Sequence, residues 1–185
     1  MNMKVLQVVG YKNAGKTTLV CEIVRMLSAE GARVATLKRD AHRADPEPAG
    51  VDTRLHREAG AFLSCMVSDA RTMWVREQPA ELDALLSAAA QAGADIAVVE
   101  GFKTAPYPKI AILRDADDAD LLRQPGIIAL VSHTLEVAAI DAKYPAFIVS
   151  ESRYERLLAF LRNWCFTGKA VVQISLNQDG NKWNM

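Results

Sequence analysis

The sequence predicts an α/β fold in which a mostly parallel β-sheet carries helices on both faces. Runs of β-branched and aliphatic residues alternate along the chain with segments whose apolar residues recur at helical spacing. The length of 185 residues suits one such domain with a small appendage. Half of the residues are hydrophobic and the formal charges sum to zero. This composition predicts a soluble globular protein and favours neither a nucleic-acid partner nor disorder.

The first predicted strand and the first predicted helix enclose a glycine-rich loop. Residues 3–9 are aliphatic without a breaker and predict a buried parallel strand. Apolar residues at helical spacing from Leu19 to Leu27 predict a helix, and Gly31 stands where it would end. The stretch between them, GYKNAGKTTL at residues 10–19, contains the pattern Gly-x-x-x-x-Gly-Lys-Thr. In this context the pattern predicts a P-loop, and with it the fold of a P-loop NTPase.

Each position of this loop has a chemical reason. Gly10 and Gly15 let backbone N–H groups approach phosphate oxygens without a Cβ in the way. Lys16 is placed to reach the β- and γ-phosphates, and the helix N-terminus adds its partial positive charge. The hydroxyl of Thr17 is a ligand for Mg²⁺. The residues therefore predict a nucleoside triphosphate bound with Mg²⁺.

The remaining elements follow in chain order. Apolar runs and alternation predict strands at residues 33–38, 61–67, 72–77, 95–101, 109–114, 127–131 and 146–149. The strand at 72–77 is predicted to lie beside the strand at 61–67, and an acidic stretch separates the strands at 109–114 and 127–131. Helical spacing predicts helices at residues 53–60 and 79–93 and a further helix that contains Leu157, Leu158 and Leu161. Residues 39–52 are polar with two prolines and predict a long loop, which in compact domains is usually functional or disordered. The tail alternates and contains Asp179-Gly180, so residues 169–185 are predicted as a hairpin-like β extension of a P-loop domain at residues 1–168.

Acidic residues at the carboxyl ends of the predicted strands complete the candidate site. Glu100 closes an apolar strand at the edge of the sheet where the phosphates would lie, so it is predicted to act on Mg²⁺ directly or through water. Asp40 follows the second strand and is a further candidate to hold magnesium water or to orient an attacking water. Asp95 opens its strand at the opposite edge and is interpreted as a solvated residue.

Other residue types give weaker signals or exclude functions. The histidines His42, His56 and His133 share no metal-ligand spacing, and three widely separated cysteines suggest neither a disulfide framework nor a zinc site. Lys103 and Lys109 flank a proline-containing stretch at the phosphate edge of the sheet. The first residues are too short and too strand-like for a secretory signal, and no apolar run reaches membrane-spanning length. We therefore expect a cytoplasmic protein without a membrane or nucleic-acid partner.

Five segments resemble one known family. GYKNAGKTTL, LKRDAH, VDTRLHREAGA, DIAVVEGFK and YPKIAILR occur in the order and spacing of the molybdopterin-guanine dinucleotide biosynthesis protein MobB, over about residues 5–114. The resemblance implies a homodimeric GTP-binding P-loop protein with at most weak Mg²⁺-dependent GTPase activity. It also implies an accessory role beside MobA, the transferase that couples GTP to molybdopterin, and makes molybdopterin itself a candidate ligand. Guanine specificity rests on the resemblance, because the Asn-Lys-x-Asp signature of regulatory GTPases is missing.

The resemblance also assigns site residues. Together with the loop chemistry and the strand-end acids, it gives catalytic roles to Lys16, Asp40 and Glu100 and metal contacts to Thr17, Glu100 and Asp40. The residues that it implies for nucleotide binding are Gly10, Tyr11, Lys12, Asn13, Ala14, Gly15, Lys16, Thr17, Thr18, Lys38, His42, Asp52, Thr53, Gly101, Lys103 and Lys109.

Two other classes of function compete with this one. A small-molecule kinase or ATP-dependent ligase could use the same P-loop sheet, and Arg39, Arg43, Arg54 and Arg57 could then close over a transferring phosphate, although no arginine-rich lid is evident. A pure interaction module with a vestigial site is disfavoured because Lys16, Thr17 and Glu100 are all intact. The affinity for GTP compared with that for ATP separates the first class from the accessory protein.

Overall fold

A computed structural model describes residues 3–40, 45, 47–134, 141, 143–149 and 154–167. It divides into two compact units, the first formed by Met1–Arg39 with Leu85–Met185 and the second by Asp40–Ala84. The predicted β extension at residues 169–185 lies outside the described residues. The division of the remaining chain into two units is not part of the sequence prediction.

The first unit contains a six-stranded sheet in which every described pairing is parallel. Its strands are β1 (Lys4–Gly10), β2 (Val34–Lys38), β5 (Ile96–Glu100), β6 (Lys109–Leu113), β7 (Ile127–Ser132) and β8 (Ala146–Ile148). Their order is β2-β5-β1-β6-β7-β8, so the strand that leads into the glycine-rich loop lies near the middle. This arrangement confirms the predicted α/β class with a mostly parallel sheet.

Each face of this sheet has its own apolar core, because side chains alternate along a strand. One face packs against α1 (Lys16–Ala29) and α4 (Glu155–Phe166), whose buried residues include Leu19, Ile23 and Leu161. The opposite face packs against a 3-10 helix at Ala116–Arg123, which buries Leu121. Strands covered on both faces read as continuous apolar runs, which is why β1 and β5 could be predicted from the sequence.

The second unit is small and partly apolar on its surface. It contains α2 (Asp52–Glu58) and an antiparallel pair of strands, β3 (Leu63–Val67) and β4 (Thr72–Arg76), which form a sheet of their own. Their pairing confirms the prediction that these two segments lie side by side. Several large apolar side chains of this unit are exposed: Val51, Leu55, Phe62, Met66, Val67 and Trp74.

Buried charge organises the start of the second unit. The Glu47 carboxylate is almost fully buried and accepts hydrogen bonds from Thr53 and from the guanidinium of Arg57. Arg57 also pairs with Asp45 and Glu77, which raises the pKa of its guanidinium further, with Glu77 as the largest cause. Asp45 and Glu47 belong to the polar loop predicted at residues 39–52. Ion pairs with Arg57 therefore hold the described residues of this loop.

One helix boundary and one short helix differ from the predictions. The helix predicted at residues 79–93 is α3 (Leu82–Gln91), which begins three residues after Pro79. The acidic stretch between β6 and β7, which the sequence reading treats as a spacer, forms the 3-10 helix at Ala116–Arg123. Asp115 caps this helix by accepting a hydrogen bond from the backbone N–H of Asp117. A 3-10 helix has three residues per turn, so its apolar residues do not recur at the spacing that indicates an α-helix.

Candidate functional site

The glycine-rich loop joins β1 to α1 in the first unit. Gly10 ends the strand against β6, where an added Cβ would lie 3.1 Å from the Ala14 Cβ and 3.2 Å from the Ile112 carbonyl oxygen. Gly15 has a φ of +87° at the start of α1, a conformation that glycine adopts at little cost. Asn13 also has a positive φ, which asparagine tolerates better than most residues. The loop therefore has the tight turns that expose backbone N–H groups to an anion.

Lys16 is the half-buried cation of this loop. Its ammonium donates a hydrogen bond to the Tyr11 carbonyl at 2.7 Å and so lies against the loop rather than in solvent. Burial lowers the pKa of Lys16; Glu100 opposes this effect, while Lys103, Lys38 and Arg114 add to it. The three other cations are thus close enough to be felt electrostatically. Such a concentration of positive charge favours a polyanionic ligand.

Thr17, Glu100 and Lys38 meet beside the loop. The parallel register pairs Lys38 with Glu100, because β2 and β5 end at the same edge of the sheet. The Thr17 hydroxyl lies 3.2 and 3.1 Å from the two carboxylate oxygens of Glu100. The Lys38 ammonium lies 3.0 Å from one of these oxygens and 3.3 Å from the Thr17 hydroxyl oxygen. The structure therefore brings together three residues that the sequence places 21 and 83 positions apart.

The oxygen atoms of Thr17 and Glu100 fit Mg²⁺. A hydroxyl and a carboxylate are the oxygen ligands that this ion prefers, and the contact of one ammonium with both indicates that they can hold a cation. In the part of the chain that the structure describes, no group of three or more His, Cys, Asp or Glu could hold a metal. Thr17 and Glu100 are therefore the described residues that could hold Mg²⁺ at this place.

A second group of polar residues surrounds Tyr11. The Lys103 ammonium lies 3.6 Å from the centre of the Tyr11 ring, and the Arg114 guanidinium carbon lies 5.6 Å from it. The Tyr11 hydroxyl donates to Asp120 at 2.5 Å, and this hydrogen bond is the main cause of a raised Tyr11 pKa. A cation over an aromatic face is attracted by the ring quadrupole. The ring thus holds a lysine beside the glycine-rich loop.

Arg114 is fixed by a buried carboxylate. Its Nη2 and Nε donate to the two oxygens of Asp118 at 2.6 and 2.8 Å, and its backbone N–H donates to one of them at 2.9 Å. Asp118 is 1 % exposed, and hydrogen bonds from Arg114 are the largest cause that lowers its pKa. Arg114 Nη1 also approaches the Lys12 carbonyl at 3.4 Å, which connects the pair to the glycine-rich loop.

Lys109 is predicted as a site residue, and the structure places it under the loop that follows β5. The side chain is fully buried at the start of β6. Its ammonium donates to the carbonyls of Lys103, at 3.0 Å, and of Ala105. Burial lowers the pKa of Lys109 to about 8. The described contacts of this ammonium are therefore with backbone.

The other predicted site residues lie in several places. Gly101 follows Glu100 directly, with a φ of +92°. Asp52 and Thr53 are the first two residues of α2, in the second unit. Asp40 is the first residue of that unit. His42 lies outside the described residues. The site also contains residues that the sequence reading misses, namely Gln7, Arg114, Asp118 and Asp120. The i, i+4 spacing of Arg114 and Asp118 is the one signal that could have indicated a pair.

Comparison with known proteins identifies the family. The model of the MobB family, described as molybdopterin guanine dinucleotide synthesis protein B, matches residues 5–133. This range includes the whole glycine-rich loop, Glu100 and the Arg114–Asp118 pair. The chain belongs to the MobB family.

Individual relatives agree with this assignment. The chain is 32% identical to a probable molybdopterin-guanine dinucleotide biosynthesis adapter protein of Bacillus subtilis, over 77% of this chain and 84% of the relative. The crystal structure of Bacillus subtilis MobB is 25% identical, with a TM-score of 0.76, 87% of this chain covered and 97% of the other. A MobB homologue of Bacillus stearothermophilus is 27% identical, with a TM-score of 0.72, 88% of this chain covered and 98% of the other.

The described helices also differ from what a membrane-spanning helix requires. None of them combines the length and the apolar character that a membrane span requires.

Proposed function

We propose that this chain binds GTP together with Mg²⁺ at the glycine-rich loop and acts as an adapter in the synthesis of molybdopterin guanine dinucleotide. The observation that carries the proposal is the meeting of Thr17, Glu100 and Lys38 beside the loop. A phosphate loop next to a hydroxyl and a strand-end carboxylate is the arrangement that nucleoside triphosphates with Mg²⁺ need. Membership of the MobB family supports the pathway.

Each part of the site has a role in this proposal. Backbone N–H groups of the loop and the Lys16 ammonium would bind the phosphates, and charge-assisted hydrogen bonds of this kind are the strong ones. Thr17 and Glu100 would hold Mg²⁺, which neutralises charge on the phosphate oxygens when it is bound. Lys38 would then exchange its contact with Glu100 for a phosphate oxygen, because its ammonium and Mg²⁺ would compete for the same carboxylate.

Hydrolysis is proposed to be at most weak. In the described part of the site, Glu100 is the carboxylate closest to the loop hydroxyl, and its two oxygens already contact Thr17 and Lys38. Asp40, which follows β2 by two positions, is the proposed residue that orients an attacking water. A protein that presents a nucleotide to a partner needs tight binding more than fast turnover, and the family description names synthesis rather than hydrolysis.

The proposed partner is a MobA-type guanylyltransferase that couples GTP to molybdopterin. The relative from Bacillus subtilis is named as an adapter, and an adapter acts through a second protein. The chain would present guanine nucleotide, and molybdopterin is a candidate ligand of the same assembly. No membrane or nucleic-acid partner is proposed, and the proposed location is the cytoplasm.

The chain is also proposed to form a homodimer. The second unit supports this, because its two-stranded sheet and the residues beside it expose Phe62, Val67 and Trp74. Unpaired strand edges with exposed apolar residues are a liability in a monomer. A second copy of the chain would bury this surface with twofold symmetry.

Equilibrium binding tests the nucleotide part of the proposal. Titration of the protein with GTP and with ATP, each with and without Mg²⁺, should give the higher affinity for GTP and a clear dependence on Mg²⁺. Arg25→Ala is the matched control for the Lys16→Ala variant, because it removes an exposed cation from the same helix. A preference for ATP would favour the small-molecule kinase or ligase instead, and equal, Mg²⁺-independent affinities would refute a functional site.

The adapter role needs a separate experiment. Purified MobA-type transferase, GTP and molybdopterin should form more molybdopterin guanine dinucleotide when this chain is added than when it is absent. The Lys16→Ala variant should give a smaller increase, because the loop would no longer retain GTP. No increase with the parent chain at any ratio of the two proteins would contradict the adapter role and leave nucleotide binding to be judged by the titration.

A further inference from the structure

Two buried polar side chains contact the backbone of the segment that joins β5 to β6, which we call the β5–β6 loop (residues 101–108). The Gln7 amide nitrogen donates to the carbonyls of Gly101 at 3.1 Å and Phe102 at 3.0 Å. The Lys109 ammonium donates to two further carbonyls of the same loop. Both side chains have 0% exposure. They come from neighbouring strands, because Gln7 and Lys109 are paired in the β1–β6 register.

The orientation of the Gln7 amide follows from its partners. Both partners are carbonyl oxygens, which only accept hydrogen bonds, so the nitrogen must face them. The amide oxygen is then buried without a hydrogen-bond partner among the described residues. A buried unpaired acceptor lowers stability, and an apolar residue of similar size would avoid that cost. The side chain is therefore better explained by what its nitrogen holds than by the stability of the core.

The loop that these side chains hold has an unfavourable backbone conformation. Gly101 has a φ of +92°, and Phe102 has a φ of +52°. Residues other than glycine rarely adopt such a positive φ. Such a conformation persists only where the surroundings impose it. Hydrogen bonds from Gln7 to both of these residues, and from Lys109 to two others, supply that constraint.

The constrained loop carries Lys103 to the nucleotide site. Lys103 directly follows the positive-φ residues, and its ammonium lies 3.6 Å from the centre of the Tyr11 ring in the glycine-rich loop. Its charge is also felt at Lys16. A loop released from Gln7 and Lys109 could relax at Phe102 and would then carry this ammonium away from Tyr11.

We propose that Gln7 and Lys109 are positioning residues, which hold the β5–β6 loop so that Lys103 adds its charge to the phosphate site. This rests on the proposed function, since the phosphates belong to the nucleotide bound there. Gln7 and Lys109 touch no ligand in this account. They act through the backbone of the loop, and Lys103 is the group that meets the phosphate.

A double-mutant cycle on GTP affinity tests this coupling. Lys103→Ala should weaken binding of GTP with Mg²⁺ by about tenfold, as expected for one charge-assisted contact. Gln7→Met keeps the volume but removes the donor, and should weaken binding in the parent but have no further effect in the Lys103→Ala background. Gln91→Met, the same change at an exposed position of α3, should leave the affinity unaltered. Effects of Gln7→Met and Lys103→Ala that simply multiply would overturn the proposal.

The acetylation rate of Lys103 tests the positioning role without relying on nucleotide binding. In the parent, the Tyr11 ring covers the Lys103 ammonium, so Lys103 should react slowly with an acetylating reagent; mass spectrometry measures the rate at each lysine. Gln7→Met should raise the acetylation rate of Lys103 without changing that of Lys143. Lys109→Met should do the same, while Lys109→Arg, which keeps donors for the carbonyls, should restore slow acetylation.

The two experiments fail in distinguishable ways. A parent chain that binds no nucleotide would remove the proposed function, while faster acetylation of Lys103 in Gln7→Met would still establish that Gln7 holds the loop. Acetylation of Lys103 at the parent rate in folded Gln7→Met and Lys109→Met would refute the positioning role, whatever the affinity for GTP.

Discussion

Glu100 has two kinds of partner in this structure, a hydroxyl and an ammonium. The carboxylate contacts Thr17 through both of its oxygens and pairs with Lys38 through one, and the side chain is nearly buried. A buried charge of this kind is stable only when it is paired and hydrogen-bonded. In the proposed nucleotide complex, Glu100 acts on Mg²⁺ and its water rather than on the phosphates themselves.

Glu100→Gln should therefore separate metal dependence from nucleotide binding. The amide keeps the shape but loses the charge that attracts Mg²⁺, so GTP should still bind while the Mg²⁺ dependence of binding and any hydrolysis decrease. Titrations of GTP at several Mg²⁺ concentrations measure the effect. Asp95→Asn is the matched control, because Asp95 directly precedes the other end of the same strand. If Glu100→Gln kept the parent's Mg²⁺ dependence, the carboxylate would be structural only.

The Arg114–Asp118 pair makes a prediction about pH. Arg114 lowers the pKa of Asp118, so the folded chain binds this proton more weakly than the unfolded chain does. The stability that the pair adds is therefore present above the pKa of the unfolded state, about 4, and is lost as the pH falls through the lower folded-state pKa. Asp118→Asn cannot lose a proton and should reduce the free energy of unfolding by about 2 kcal/mol near neutral pH.

Denaturant unfolding at several pH values measures this difference. The gap between the parent and Asp118→Asn should be widest near neutral pH and should narrow in the acidic range below about pH 4. Asp117→Asn provides the control, because Asp117 is exposed on the same 3-10 helix. A gap of constant size across the whole range would show that the carboxylate charge of Asp118 does not act.

At the residue scale, the sequence predicts what a motif carries and misses what the topology brings together. Thr17 and Glu100 could be placed, because a phosphate loop and a strand-end acid each have a local pattern. Gln7 could not, because a single amide within an apolar strand has no signal until the loop above it is known. The i, i+4 spacing of Arg114 and Asp118 indicates a pair only when the stretch between them is known to turn into the 3-10 helix.

At the scale of elements, the turn that precedes β7 lies close to the backbone that leads into β6. Gly126 has a φ of +80°, and a Cβ there would lie 2.5 Å from the Tyr107 carbonyl oxygen. The backbone N–H of Lys109 also donates to the Gly126 carbonyl at 2.8 Å, so this turn touches the end of the β5–β6 loop. Backbone cannot move aside as a flexible side chain does.

Gly126→Ala should therefore destabilise the fold more than a positive φ alone requires. The strained conformation costs about 1 kcal/mol, and the clash with backbone should add to it. Gly31→Ala is the matched control, because Gly31 has a similar φ of +84° but nothing within 4 Å of the added Cβ. Denaturant unfolding should give a larger loss for Gly126→Ala than for Gly31→Ala. Equal losses would mean that the turn relaxes freely.

Most elements could be predicted because the parallel sheet is buried on both faces. β1, β5 and β6 are apolar runs with few polar residues, and the predicted bounds of each agree with the observed ones to about a residue. The pairing of β3 with β4 could be predicted, but their separation from the parallel sheet could not be, because neither segment carries a signal that excludes the larger sheet. Ion pairs such as Arg57 with Glu47 hold that unit, and charge in a polar loop does not reveal its partner.

At the scale of the whole molecule, assembly is the property that the described residues leave to experiment. The sequence predicts that the segment 170–185 pairs with a sheet edge, and this segment lies outside the described residues. The exposed apolar side chains of the second unit are an independent reason to expect a second copy. Two surfaces of the chain are thus candidates for the same interface.

Removal of residues 170–185 should shift the mass measured by light scattering toward that of the monomer, because the tail is predicted to join the subunits. Trp74→Ser, in the exposed face of β4, separately tests the contribution of the second unit. If the truncated chain stayed fully dimeric while Trp74→Ser became monomeric, the dimer would be built by the second unit. If the full chain were a monomer, the proposed homodimer would be wrong.

The fold class and the family could both be predicted from the sequence, whereas the residues alone do not identify the nucleotide. Motif order over about residues 5–114 indicates the family, whose model matches residues 5–133. No local pattern in this chain indicates guanine recognition, so the proposal of GTP rests on the family. Binding of a triphosphate at the glycine-rich loop is the step on which the proposed adapter role depends.

Isothermal titration of GTP with Mg²⁺ into the parent chain and into Lys16→Ala tests that step most directly. Lys16 is half-buried in the loop and contributes little apolar burial, so the variant should fold as the parent does. Loss of one charge-assisted contact to phosphate should cost about 1.5 to 3 kcal/mol, which is roughly a ten- to hundredfold loss of affinity. A folded Lys16→Ala variant that binds GTP as tightly as the parent would contradict the account.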